Sequence, residues 1–180
     1  VFLMRRSTAT TEYLKECMGT ALLELMQTKP IEKISIEEMT AKADVGRSTY
    51  FRYFKSKDEV LSFKIHCLWK RFCEAQARPA DGPQDDTRMF FQFSLSLRPI
   101  DDLLYAAGHQ NALLEAYMQI LDPSRQQSNI KTYYLNNFLA YGVFGLVNAW
   151  ILRGYQETPE EMEQVIQGWM EKTQPEQGET

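Results

Sequence analysis

Basic, hydroxyl-bearing and aromatic side chains are concentrated between residues 34 and 57, and their chemistry suits contact with DNA. An arginine can donate two hydrogen bonds to the edge of a guanine, and a serine or threonine can bind a base or a phosphate oxygen. The candidate DNA-binding residues are Ser35, Arg47, Ser48, Thr49, Phe51, Arg52, Tyr53 and Lys57. These side chains can contact DNA together only if one short element carries them. The local structure of this segment therefore decides whether it can bind DNA.

Residues 35–46 predict a short helix followed by a tight turn. Ser35 and Glu38 are spaced as in a capping box, in which each side chain accepts a hydrogen bond from the backbone N–H of the other residue. Asp44 tolerates a left-handed backbone, and Gly46 can be the N-cap of a following helix. We therefore expect the turn at residues 44–46.

A second short helix is predicted over residues 47–54. Val45, Tyr50 and Phe54 fall on its inward side, which leaves the polar candidates on the outward side. Two short helices joined by a tight turn form a helix-turn-helix, whose second helix lies in the major groove of DNA. The pattern favours a DNA-binding domain, although capped amphipathic helix pairs also occur in proteins that never contact DNA.

This segment resembles the tetracycline-repressor-like (TetR/AcrR) family of bacterial transcription regulators. The matching residues are Ile34, Ser35, Ile36, Ala43, Val45, Thr49, Tyr53, Phe54, Ser56 and Lys57. The chain departs from the family pattern at Asp44, which stands where the family has a turn glycine, and at Gly46, which stands where it has a capping serine. It departs again at Tyr50 and Phe51, where the usual order of phenylalanine and tyrosine is reversed.

The exchange at Phe51 bears on DNA contact. In relatives the tyrosine at this position gives its hydroxyl to a DNA phosphate, and that hydroxyl is absent here. The resemblance leaves Ser35, Thr49, Tyr53 and Lys57 as the candidate phosphate contacts.

The resemblance implies an all-α protein of about nine helices. It implies an N-terminal three-helix DNA-binding domain over residues 1–55 and a C-terminal regulatory and dimerisation domain over residues 56–180. It also implies a repressor that binds a palindromic DNA operator as a homodimer and is released by an effector. The segments GVFGLVNAW and TPEEM resemble, more loosely, the C-terminal region of a subgroup that includes regulators of dihydroxyacetone kinase genes.

Apolar periodicity and capping residues predict the other helices. The first covers residues 10–28, and a fourth begins at the capping box of Ser56 and Glu59 and extends to about residue 77. A polar loop at 78–86 separates it from the C-terminal helices. These are predicted over residues 87–97, 99–107, 110–121, 129–153 and 158–172, and no segment predicts a strand.

The predicted helix at 129–153 is apolar on more than one face, as in a helix buried on all sides. Glycine costs a helix about 1 kcal/mol relative to alanine, so its two glycines indicate the close approach of another helix. The resemblance implies that the last two helices of each subunit pair in a four-helix dimer interface. The expected interface residues are Phe138, Tyr141, Gly142, Gly145, Ala149, Met162, Ile166 and Trp169. The alternative is the core helix of a monomer.

Aromatic residues with a few polar tips in the C-terminal helices could line a pocket for an apolar or aromatic small-molecule effector. The candidate ligand-binding residues are Phe93, Tyr105, His109, Tyr117 and Trp150. Such residues are also typical of a plain hydrophobic core. The alternative signal is a partner protein, and the alternative role of the regulator is that of an activator. In that case these helices would be packed solid and would expose an apolar patch.

The net charge of −4 is divided unevenly along the chain. Residues 1–79 carry +4 and residues 80–180 carry −8, which favours phosphate contact at one end and repulsion of DNA at the other. Three cysteines without C-x-x-C spacing indicate a reducing cytoplasm. An uninterrupted apolar run of about 18 residues is missing, so we expect no membrane span.

Motifs for catalysis are missing from the sequence. It contains no nucleophile elbow, phosphate-binding loop, dinucleotide fingerprint or H-E-x-x-H zinc motif. His66 and His109 lack the carboxylate or thiolate spacing of a metal site. We therefore expect a protein that is not an enzyme and that uses no metal or cofactor.

Overall fold

The computed structural model describes residues 2–76, 87–121 and 129–173, with side chains from Thr10 to Gly168 within those ranges. Over these ranges the chain is helical and has no strand, so the prediction of an all-α protein is confirmed. The helices are α1 Phe2–Met26, α2 Ile36–Lys42, α3 Arg47–Tyr53, α4 Lys57–Ala75, α5 Thr87–Ser96, α6 Arg98–Ala107, α7 Asn111–Leu121, α8 Ile130–Leu152 and α9 Pro159–Thr173.

Two elements near the N-terminus differ from the prediction. Helix α1 begins at Phe2 rather than near residue 10. A short 3-10 helix at Ile31–Lys33 follows Pro30 and was not predicted. Its periodicity of three places Ile31 and Ile34 on the same side, and both are buried. The predicted loop at 78–86 lies outside the described residues.

Capping residues fix the starts of α4 and α9 as the sequence predicts. The hydroxyl of Ser56 accepts the backbone N–H of Glu59 at 3.1 Å. Thr158 accepts the N–H of Glu161 at 3.2 Å, and the Glu161 carboxylate accepts the N–H of Thr158 at 2.7 Å. These bonds satisfy backbone donors that the first turn of a helix leaves without partners.

Helix α4 occupies the centre of the hydrophobic core. Its residues Leu61, Ile65, Trp69 and Cys73 are buried between α1 on one side and α7 on the other. One cluster of buried apolar side chains runs from α1 through α4 to α9. The predicted division at residue 55 stays a prediction, and the apolar core is continuous across it.

Helices α1 and α4 pack closely against each other at Gly19. A Cβ atom at this glycine would lie 2.6 Å from the Cβ of Lys64. Beside this contact, the Glu16 carboxylate binds the ammonium of Lys64 and the guanidinium of Arg71, each at 2.7 Å. The small residue and the ion pairs together fix the position of α1 against α4.

Helix α8 is less buried than its composition predicts. Of its side chains only Ala140, Val147 and Trp150 are buried within the chain. The helix is also long and apolar enough to cross a membrane by length and composition, which the sequence analysis had not expected. After Lys131, its polar residues, such as Asn136 and Asn148, carry no charge and interrupt the apolar run only weakly.

We expect Gly19→Ala to lower the free energy of unfolding by roughly 1–3 kcal/mol, because the added methyl group would overlap the Lys64 side chain. Chemical denaturation measures this change. Thr20→Ala, at the exposed neighbouring position, is the control and should change stability by less than about 0.5 kcal/mol. Equal stability of Gly19→Ala and the wild-type protein would contradict the close approach of α1 and α4.

Candidate nucleic-acid interface

Helices α2 and α3 and the turn between them form the predicted helix-turn-helix. The hydroxyl of Ser35 accepts the N–H of Glu38 at 3.0 Å and begins α2. The Glu38 carboxylate is paired with Lys29, whereas the capping box placed it on the N–H of Ser35. Asp44 has a left-handed backbone with a φ of 53°, and Gly46 is the N-cap of α3, so both predictions for the turn are confirmed.

Three apolar side chains hold α3 against the rest of the domain. Val45, Tyr50 and Phe54 are all buried, as predicted. The ring of Phe54 meets the ring of Phe63 in α4 edge-on, with 5.9 Å between centroids. Burial, and to a lesser degree the charge of Glu59, raises the pKa of the Tyr50 hydroxyl. The inward side of α3 is therefore fixed, and its outward side has a defined orientation.

The outward side of α3, named here the α3 outer face, carries six of the eight predicted DNA-binding residues. They are Arg47, Ser48, Thr49, Phe51, Arg52 and Tyr53. The ring of Phe51 is 63% exposed, and the side chains of Arg47 and Arg52 are exposed beside it. Two guanidinium groups around an exposed aromatic ring are suited to a surface that is both anionic and partly apolar.

Arg47 lies beside an acidic residue of α2. Its Nη1 atom is 3.9 Å from Oε2 of Glu37, and both side chains are largely exposed. An exposed ion pair of this kind contributes only about 0–1 kcal/mol. A phosphate or a base edge can therefore draw the guanidinium away from Glu37 at small cost.

The structure places Lys57 differently from the other candidates. Its ammonium donates to the backbone carbonyl of Ile31 at 2.5 Å, and its side chain is half-buried. This bond ties the start of α4 to the 3-10 helix. Lys57 thus has a structural contact inside the chain, and its contact with a phosphate stays a prediction.

Lys15 of α1 is a basic residue near the α3 outer face that the sequence reasoning missed. Its Nζ lies 3.8 Å from the ring centroid of Phe63 and 5.9 Å from that of Tyr53. Hydrogen bonds with Thr11 and then with Arg52 lower the pKa of the Tyr53 hydroxyl. The end of α3 is therefore bound to α1. Helical periodicity gave no signal for this tertiary contact.

The residues predicted for the dimer interface fall into two groups. Phe138 is 75% exposed and Tyr141 57%, and no heavy atom of another residue lies within 4 Å of a Cβ built on Gly142 or Gly145. Ala149 is exposed on the same helix. These five residues form an open apolar surface on α8.

The predicted interface residues of α9 lie elsewhere. Met162 is buried in the chain's own core, and its place in the dimer interface stays a prediction. Ile166 is half-buried and contacts the same core. The side chain of Trp169 lies outside the described part of the structure.

The five predicted ligand-binding residues are not brought together around one cavity. Phe93, Tyr117 and Trp150 are buried side chains of the core. Tyr105 donates to the Asn148 side chain at 2.6 Å, and the His109 ring contacts the carboxylates of Asp58 and Glu32. Phe93 lines one of three cavities found among the described residues, and the other four do not line these three. For those four residues a place in a ligand pocket stays a prediction.

Two family models match the chain. Residues 20–62, which contain the helix-turn-helix, match the model described as bacterial regulatory proteins of the tetR family. Residues 105–172 match the model of a transcriptional regulator C-terminal region. The protein belongs to the TetR family. Its two domains indicate a DNA-binding transcription factor rather than an enzyme.

A solved structure shares the fold of this TetR-family protein. It is the crystal structure of Lin0861 from Listeria innocua to 2.8 Å, with a TM-score of 0.66 and 15% sequence identity. The alignment covers 92% of this chain and 93% of that chain. At this identity the likeness shows the fold alone. A comparison with curated proteins gave no match.

The C-terminal domain of this TetR-family chain contains a buried acidic residue. Asp101 in α6 is fully buried, and one carboxylate oxygen accepts the Tyr155 hydroxyl at 2.5 Å. The other oxygen has no hydrogen-bond partner among the described residues. Burial raises the pKa of Asp101 to about 7, although the bond from Tyr155 acts in the opposite direction.

The backbone at Tyr155 is unusual and serves this contact. Its φ is 57°, in the left-handed region that costs a bulky residue free energy. The turn donates the N–H of Tyr155 to the carbonyl of Trp150 at 3.0 Å. The strained turn thus directs the Tyr155 hydroxyl towards α6 and links the end of α8 to that helix.

His109 joins the C-terminal domain to the DNA-binding domain. Its Nδ1 lies 2.5 Å from the carboxylate of Asp58 at the start of α4, and its Nε2 lies 3.5 Å from Glu32 of the 3-10 helix. His109 follows α6, so this contact connects the body of the protein to the segment that precedes α2. Within the described ranges no group of three metal-ligating side chains occurs.

We expect Asp101→Asn to flatten the pH dependence of stability between about pH 4 and pH 7. With a pKa raised from 3.8 to about 7, the folded protein keeps a proton that the unfolded chain releases. Stability therefore falls as the pH rises through this window, by at most about 1.4 kcal/mol per pH unit. Asparagine cannot titrate, so this slope should disappear.

Denaturation midpoints at four pH values measure the effect. Asp102→Asn, at the exposed neighbouring position, is the control and should keep the wild-type slope. If Asp101→Asn and the wild-type protein lose stability in parallel from pH 5 to pH 7.5, the carboxyl does not hold a proton in the folded state.

Proposed function

We propose that this protein is a repressor that binds a palindromic operator as a homodimer and leaves it when an effector binds the C-terminal helices. The observation that carries the proposal is the α3 outer face, an exposed surface with two arginines on a helix whose inward side is buried. A helix of this kind can enter the major groove and contact base edges there.

Each side chain of the α3 outer face has a chemical role in this proposal. Arg47 at the start of α3 donates to a guanine edge, because the first residues of such a helix lie deepest in the groove. Phe51 cannot give a hydroxyl to a phosphate, but its exposed ring can contact a thymine methyl group. Ser35, Thr49 and Tyr53 hold phosphate oxygens and fix the orientation of the helix.

Charge distribution supports DNA binding at one end of the molecule. The first 79 residues carry +4, and the rest of the chain carries −8. Cationic side chains release counterions from DNA on binding, so affinity falls as salt rises. The acidic C-terminal domain would be repelled by the duplex, which favours an approach with the α3 outer face towards the groove.

The exposed apolar surface of α8 supports a homodimer. A surface of this kind, with Phe138 and Tyr141 exposed and small residues beside them, is expected where a second helix packs closely. A two-fold axis through such an interface presents two α3 helices, about 34 Å apart, to one side of DNA. Two equivalent helices recognise two inverted half-sites, which is why we propose a palindromic operator in the cytoplasm of a bacterium.

Repression is favoured over activation for a physical reason. A protein that covers a promoter blocks transcription without any further contact, whereas an activator must also bind the transcription machinery. Release by an effector needs only a change in the spacing of the two DNA-binding domains. Helix α4 begins in the DNA-binding domain and runs through the core, so it can transmit that change.

A partner protein in place of a small molecule is the second candidate signal. Tyr117 and Trp150, expected to line a ligand pocket, are fully packed in the core. The N-terminal half of α8 exposes a further group of apolar side chains, namely Ile130, Tyr133, Tyr134, Leu135 and Leu139. This surface extends beyond the five residues assigned to the dimer and could accept a second protein.

We expect Arg47→Ala to weaken binding to the operator by roughly 1–3 kcal/mol and to leave non-specific duplex binding nearly unchanged, because a bidentate contact to one base is lost. Genomic fragments retained by the purified protein across a salt series identify the operator by sequencing. Fluorescence anisotropy on operator and scrambled duplexes then gives both affinities.

Arg153→Ala is the control for this experiment, because Arg153 is an exposed arginine of the C-terminal domain, paired with Glu157. It should bind the operator like the wild-type protein. Equal losses on every sequence would make Arg47 a phosphate contact. Failure to enrich any inverted repeat at any salt concentration would overturn the proposed function.

We expect Phe138→Glu to convert the dimer into a monomer at micromolar concentration, since a charge would be buried without a partner in the interface. Sedimentation velocity measures the oligomeric state. Tyr13→Glu places the same charge on an exposed aromatic position of α1 and should leave the dimer intact. A Phe138→Glu protein that remains dimeric would place the interface away from this part of α8.

A further inference from the structure

A cleft lies between helices α4, α5 and α6, below the DNA-binding domain. Its volume is about 460 Å³, within the range of small-molecule binding sites. The residues that line it are Leu68, Arg71, Phe72, Phe93, Ser96, Leu97, Pro99 and Ile100. Six of these eight are apolar, so the walls suit an aliphatic or aromatic group.

Phe72 and Phe93 form the aromatic wall of the cleft, and Trp69 packs against both rings. The rings of Phe72 and Phe93 have centroids 5.6 Å apart. Trp69 is buried against both, with centroids 6.4 Å from Phe72 and 5.1 Å from Phe93. This wall belongs to α4 and α5, and an apolar group bound on it would contact α4 directly.

The cleft is lined by two side chains that can bind a polar group, Ser96 and Arg71. They differ in whether their hydrogen-bond donors are free for a ligand. The Ser96 hydroxyl donates to the carbonyl of Phe93 at 2.6 Å and is already used. Arg71 is the single charged residue among those that line the cleft, and its side chain is 61% exposed. A guanidinium can bind a carboxylate through two parallel hydrogen bonds. The positive charge therefore selects an anionic group.

Arg71 can leave its present partner, Glu16, without leaving the Glu16 carboxylate buried and unpaired. Glu16 of α1 binds Arg71 at 2.7 Å, and it binds Lys64 at the same distance. The Lys64 side chain is only 9% exposed, so its contact with Glu16 is the more protected of the two. When Arg71 turns towards the cleft, Lys64 still neutralises Glu16. The Arg71 side chain is 61% exposed, so solvent screens its pair with Glu16 and weakens it.

We propose that this cleft binds an anionic amphiphile, with its carboxylate on Arg71 and its aliphatic chain along Phe72, Phe93 and Ile100. The proposal rests on the proposed function, since it names the chemical class of the effector. The carboxylate replaces Glu16 on Arg71 and so removes one of the links between α1 and α4. Those two helices set the position of the DNA-binding domain against the body.

Isothermal titration of the full-length protein with octanoate, 1-octanol and octylammonium tests the proposal. The three probes share one chain length and differ in the charge of the head group. We expect octanoate to bind most tightly and octylammonium most weakly. Arg71→Gln should reduce octanoate affinity by about tenfold to a hundredfold and leave 1-octanol affinity unchanged, because a charged hydrogen-bond pair is lost.

Two further variants separate the head group from the chain. Lys70→Gln removes an exposed charge from the next position of α4, outside the cleft lining, and should bind octanoate like the wild-type protein. Ile100→Trp fills the cleft and should abolish binding of both octanoate and 1-octanol. If that variant fails to fold by circular dichroism, Ser96→Trp, at an exposed position of the lining, replaces it.

Equal affinity for octanoate and 1-octanol, the same octanoate affinity in Arg71→Gln, or no binding of any probe would overturn the proposal. Operator binding is measured in parallel without any probe. This measurement separates failure of the effector-site proposal from failure of the proposed function. A protein that binds the operator but not octanoate keeps the proposed function and loses this effector class. A protein that binds octanoate through Arg71 but no operator keeps the site and loses the function.

Discussion

Burial of α4 on two opposite sides is the constraint on which the rest of the structure depends. Leu61, Ile65 and Trp69 are inaccessible to solvent because α1 covers one side of the helix and α7 the other. Helix α3 is held against α4 through the contact of Phe54 with Phe63. The orientation of the α3 outer face is therefore set by the same helix that forms the centre of the C-terminal core. A displacement of α4 in the body must move the DNA-binding surface.

Polar contacts add directional restraints to the apolar core at two places along α4. Apolar burial is non-directional and tolerates small sliding movements of packed helices. The Glu16 carboxylate fixes α1 on α4 through Lys64, and His109 fixes the α6–α7 connection on Asp58 at the start of α4. The His109–Asp58 contact is partly exposed, whereas the Glu16–Lys64 contact is largely buried. The exposed contact is therefore the easier of the two for a bound ligand to alter.

The sequence predicted the elements whose causes are local. Capping boxes, the left-handed turn at Asp44 and apolar periodicity gave the helices and the inward side of α3, because each depends on residues within one or two turns. Features that depend on tertiary contacts have no local signal. Lys57 has the right type for phosphate contact and also binds the carbonyl of Ile31, and Met162, predicted for the interface, lies in the core. Local sequence contains no signal for the contact of Asp101 with Tyr155, because the two residues are 54 positions apart.

Helix α8 places some apolar side chains in the core and others at the surface. For this reason a small molecule and a partner protein are both chemically reasonable signals for this chain. Core helices of a monomer bury their apolar side chains, yet α8 leaves Phe138 and Leu139 largely exposed. A second subunit that covers this surface would restrain α8 and leave α4, α5 and α6 able to move. The cleft with Arg71 lies among these three helices and away from the proposed interface. A ligand there could shift α4 relative to a fixed dimer, which is the movement that changes the distance between two DNA-binding domains.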